Sequence, residues 1–93
     1  MKTPDQEIRE AREVQTLLDH PAFKRAMTSI ESGLIDKMRQ VPMADIDTQH
    51  QLILSLQLLC ALKRNFSDII QSGKMAEIQK EQSLADKVKR FIR

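Results

Sequence analysis

The sequence predicts an all-α fold, and three observations carry that expectation. Apolar residues recur every three or four positions along most of the chain, the period of a helix with one covered stripe. Ten Leu and nine Ile stand against three Val, a balance that favours helix over strand. Only 2 Gly and 3 Pro interrupt the 93 residues, too few for a many-stranded architecture. The apolar share of 41% and charged share of 30% argue against wholesale disorder. One domain fits the length, and its expected form is three to four helices in a hairpin or small bundle. A long Leu-rich helix would stand at its centre, with oligomerisation completing the core.

The first helix is expected over residues 4–18. Thr3 as N-cap, Pro4 at the first helical position and Gln6 three residues after the cap make a capping box. Asp5 and Glu7 add negative charge where the helix dipole favours it. Ile8, Ala11, Val14 and Leu18 repeat at helical spacing, with Leu17 beside them. Pro21 disfavours the helical conformation at His20, so Asp19 or His20 should cap a second helix over residues 21–40. Its stripe is Phe23, Met27, Ile30, Leu34, Met38 and Val41, widened by Ala26 and Ile35. Gly33 sits mid-helix at about 1 kcal/mol relative to Ala, and a close helix crossing would explain it.

Pro42 ends the second helix, and Asp45 or Asp47 can cap the third, expected over residues 48–72. Leu52, Leu56, Leu59, Phe66 and Ile70 share one stripe, broadened by Ile53, Cys60 and Ile69, whereas Leu54, Leu58, Ala61 and Leu62 point elsewhere. A helix apolar on most of its circumference should be covered on more than one side. Gly73 reads as the left-handed residue that closes this helix. A fourth helix over residues 75–92 would carry Met75, Ile78, Ala85, Val88 and Ile92, with a polar gap at Glu81, Gln82 and Ser83.

Several chemistries lack their residues. The single cysteine, Cys60, excludes an intramolecular disulfide and a cysteine-based zinc cluster. Within an apolar run it reads as a small buried hydrophobe, which suits a reducing, cytoplasmic setting. His20 and His50 stand 30 residues apart, each without a second His or Cys within a helical turn, so no metal is expected. Asp45, Asp47 and His50 read as capping or exposed groups at a helix start. Gly33 and Gly73 are too far apart for a phosphate-cradling loop. No nucleophile, base and oxyanion hole come together, so neither an enzyme nor a cofactor is expected. Residues 1–14 read as neither a signal peptide nor a transit peptide. The longest apolar stretch, residues 52–62, falls short of the roughly 20 residues that a membrane span needs.

Charge is uneven. Residues 1–20 hold three basic and five acidic side chains, and residues 74–93 hold six basic and three acidic. The two segments can attract each other within or between molecules. Lys87, Lys89, Arg90 and Arg93 form the most basic patch and are the candidate nucleic-acid contacts. Cations near a helix C-terminus are favoured by the dipole alone, and no aromatic residues interleave for base stacking. A solvated face is the preferred reading.

The run Leu17-Leu18-Asp19-His20-Pro21-Ala22-Phe23, the Pro/Asp loop, and Ser72-Gly73-Lys74-Met75-Ala76-Glu77 after a Leu-rich helix resemble small helical proteins of tailed bacteriophages and prophages. The similarity covers about residues 14–80. It implies a viral or prophage origin near head, portal or packaging functions, in the bacterial host cytoplasm or on the virion. The expected function is a non-enzymatic, self-associating accessory in virion assembly or DNA packaging, at least a dimer, which also contacts a larger phage or host protein. Its interface would be carried by Leu52, Leu54, Leu56, Leu58, Leu59, Leu62 and Phe66. The alternative is a small phage regulator that binds a nucleic-acid-handling protein, or DNA, through the basic C-terminal segment.

Overall fold

The computed structural model describes residues 2–91. Among them the chain forms three α-helices and no strand: α1 (Pro4–Asp19), α2 (Pro21–Gln40) and α3 (Ile46–Phe91). Two compact units share α3. One joins α1, up to Leu17, to the part of α3 from Phe66 onward; the other is Leu18–Asn65 and holds α2 with the start of α3.

Local chemistry sets the helix starts. Before α1, the Thr3 hydroxyl accepts from the Gln6 N–H at 3.2 Å and the Gln6 carboxamide accepts from the Thr3 N–H at 2.9 Å, a reciprocal capping box. His20 has extended backbone, as a residue before proline must, and its Nδ1 accepts from the Ala22 N–H at 3.2 Å. Of the two expected candidates, His20 is therefore the cap of α2. At α3 the Asp45 carboxylate accepts from the Thr48 N–H at 3.2 Å, so the helix begins two residues earlier than its apolar pattern suggested.

In the unit Leu18–Asn65, the covered residues lie on the expected stripes, although Ala26 and Ile30 of α2 are exposed. Phe23, Met27, Leu34, Ile35 and Met38 of α2 are half-buried, and Leu52 and Leu59 of α3 are buried to 9% exposure each. Burying a Leu side chain contributes about 1.5–3 kcal/mol, so these two lead the apolar stabilisation here. Gln49 closes the α2–α3 turn. Its Nε2 donates to the Met38 carbonyl at 3.1 Å and to the Val41 carbonyl at 2.8 Å, satisfying groups that the end of α2 leaves open. Lys63 and Glu31 pair at 2.6 Å, both largely exposed, where such a pair contributes at most about 1 kcal/mol.

In the other unit, Ile8, Ala11 and Val14 of α1 and Phe66, Ile69 and Ile70 of α3 are half-buried, while Gly73 and Ala76 are buried. Asp5 pairs with Lys80 and Arg12 with Glu77, at 2.5 and 4.0 Å. The opposite charges of the two segments thus meet within one molecule.

Four expectations need correction. Gly73 does not end a helix: α3 runs through it, so the expected helices 48–72 and 75–92 are one, and no glycine has a positive φ. A glycine is required there because a Cβ would overlap that of Ala11 and stand 3.1 Å from the Glu7 carbonyl oxygen. Gly33, assigned to a close crossing, meets nothing within 4 Å of its Cβ position. Cys60 is exposed, because only one side of this stretch of α3 is covered within its unit. Met75, Ile78, Ala85 and Val88 are exposed, the side facing α1 being supplied by small residues instead, and Ile92 lies outside the described residues.

Candidate self-association surface

From Thr48 to Leu62, α3 has no Asp, Glu, Lys or Arg, in a chain that is 30% charged. A helix can carry such a stretch only if its apolar side chains find cover, yet its own unit covers one side. Leu52 and Leu59 face that interior, with Leu56 half-buried beside them. At about 100° per residue, Leu54, Leu58 and Leu62 fall on the other side. Their exposures are 48%, 72% and 42%, and the adjacent Ala61 is also exposed.

The seven expected interface residues therefore separate. Leu54, Leu58 and Leu62 form one open row; Leu52 and Leu59 are committed to the interior; Leu56 and Phe66 are half-buried. A contiguous apolar row of this kind is what marks an interaction surface, in contrast to a single exposed Leu.

No protein-family model, curated protein or solved structure matches this chain.

A second apolar feature lies in the same unit, an open groove between α2 and α3. Ile35, Met38, Met43, Ile46, Ile53 and Leu56 line it, with Arg39, Gln49 and His50 as its polar members. Periodicity alone did not reveal it, because Met43 and Ile46 belong to the turn and the helix start. Their exposures of 87% and 70% make the rim of this groove another patch of uncovered apolar surface.

The residues weighed for chemistry stay dispersed. His20 and Asp45 act as caps, and Asp47 and His50 are exposed in the first turns of α3. Among the described residues, no three His, Cys, Asp or Glu side chains gather as metal ligands would. Lys87, Lys89 and Arg90 are exposed near the end of α3, while Arg93 lies outside the described residues. No helix among those described is long and apolar enough to cross a membrane.

Proposed function

We propose that this chain is a non-enzymatic helical protein that associates with itself and serves as an accessory in phage particle assembly or DNA packaging. The open row Leu54, Leu58 and Leu62, on a charge-free stretch of α3, carries the self-association. The phage setting, in the host cytoplasm or on the particle, rests on the resemblance of residues 14–80 and on no structural observation. Charged outer faces would meet a larger phage or host partner.

Sedimentation equilibrium at micromolar concentration tests the central claim. The expected result is a species at least twice the 10.7 kDa chain mass. A single 10.7 kDa species overturns it. Capture of phage head or packaging proteins from infected cells would support the setting.

The second reading, a regulator that binds DNA or a nucleic-acid-handling protein, is favoured by the exposure of Lys87, Lys89 and Arg90. A gel-shift titration at about 150 mM salt separates the two. Binding through several phosphates weakens steeply with salt, whereas apolar self-association does not. Submicromolar binding that is lost when Lys87, Lys89, Arg90 and Arg93 are all changed to Gln would put this reading first.

A further inference from the structure

The open face of α3 is laid out symmetrically about Leu58. Leu54 and Leu62 lie at equal distances before and after it in the sequence, as do Ser55 and Ala61, and Gln51 and Asn65. All of these are exposed and, at about 100° per residue, they share a sector of roughly 120° centred on Leu58. Leu58 is also the most exposed leucine of the row.

We propose that two copies of this chain pair α3 against α3 in antiparallel orientation, with a two-fold axis beside Leu58. The pairing rests on the self-association proposed above and names its geometry. Leu58 packs on its own copy, Leu54 meets the partner's Leu62, and Ser55 meets the partner's Ala61. That last pair is small on both sides and lets the helices approach. Gln51 comes opposite the partner's Asn65, and their carboxamides, each both donor and acceptor, close the two ends of the apolar row.

The face itself selects this occupant. Complementary charge supplies much of the specificity between unlike chains, and between Asp47 and Lys63 the helix has no Asp, Glu, Lys or Arg to offer. An isologous contact needs only a patch that matches itself under a two-fold rotation. A parallel pair would align the helix dipoles and bring the two Asp47 carboxylates together on the same face; antiparallel pairing avoids both. From Gln51 to Asn65 the contact runs about 21 Å at 1.5 Å per residue, the small end of specific interfaces. A dissociation constant on the order of micromolar is expected.

The test uses the full chain with Cys60→Ser. Gln51→Cys and Asn65→Cys are prepared separately, then treated with a short bismaleimide alone and as an equimolar mixture. Antiparallel pairing predicts a cross-linked product in the mixture that joins position 51 to position 65, and little from either variant alone. Cross-linking of each variant to itself, with no mixed product, overturns the antiparallel geometry while self-association stands. A monomer in sedimentation equilibrium overturns both. Leu58→Asp, with helicity checked by circular dichroism, should weaken the dimer at least tenfold. A dimer of unchanged affinity in a folded Leu58→Asp variant would overturn the axis and move the contact to another face.

Discussion

Gly73 of α3 and Ala11 of α1 are packed so closely that a Cβ on Gly73 would occupy the space of the Ala11 methyl group. The two residues let α1 lie on α3 at nearly backbone distance, with the Glu7 carbonyl oxygen beside the same spot.

Gly73→Ala should destabilise the protein although it improves helix propensity by about 1 kcal/mol. Neither the Ala11 Cβ nor the Glu7 carbonyl is the flexible end of a side chain, so one helix must shift. Overpacking of this kind costs about 1–3 kcal/mol. Gly33→Ala is the matched control: with open space at its Cβ position, it should stabilise by up to about 1 kcal/mol. Urea midpoints that moved in the same direction for both would refute the distinction.

Gln49 should be the polar side chain whose loss is felt most in the α2–α3 turn. Gln49→Ala removes both donations to the Met38 and Val41 carbonyls and should cost about 1–2 kcal/mol. Gln49→Glu keeps the length but sets a carboxylate against two carbonyl oxygens, so at neutral pH it should cost more than the alanine change. Thermal melts of the two variants decide it, and the reverse order would show that the clamp contributes little.

Cys60, being exposed, should react with a thiol reagent in the native protein without prior denaturant. Cys60→Ser should move stability by less than about 0.5 kcal/mol, as surface substitutions do. A thiol that titrates only after unfolding would contradict the placement of this side of α3.

His20 should be replaceable by a better cap. His20→Asn keeps an acceptor for the Ala22 N–H and should match or exceed wild-type stability, whereas His20→Ala should lose about 0.5–2 kcal/mol. Equal melting temperatures for the two variants would show that the Nδ1 contact is idle.

These residues also show where sequence reading succeeds. The Thr3 cap is legible in the sequence, and the caps of α2 and α3 are legible down to a choice of two residues each, because a cap depends on atoms within three residues. Gly73 was not. A glycine that ends a helix and a glycine under a crossing helix look alike locally, and here Ala11, from another helix, decides. Gln49 gave no signal, since its acceptors are main-chain carbonyls that carry no side-chain signature. For Leu54, Leu58 and Leu62, the helical wheel already set them apart from Leu52 and Leu59. What it left open was how many sides of α3 the rest of its unit would cover, and that also misplaced Cys60.

The contact between Ala11 and Gly73 orders events in time. α2 finds its partner on α3 across a short turn, residues 41–45, and such local pairs form early because little chain entropy is lost in closing them. For α1 the wait is longer, since its seat at Gly73 and Ala76 is synthesised only after all of α2 and half of α3. At about 5–20 residues per second, that interval lasts on the order of seconds. Throughout it, Ile8, Ala11 and Val14 have no seat. Of the three helices, α1 is made before the others yet sheltered last, and a nascent chain stalled before Gly73 would hold the apolar stripe of α1 open to chaperones.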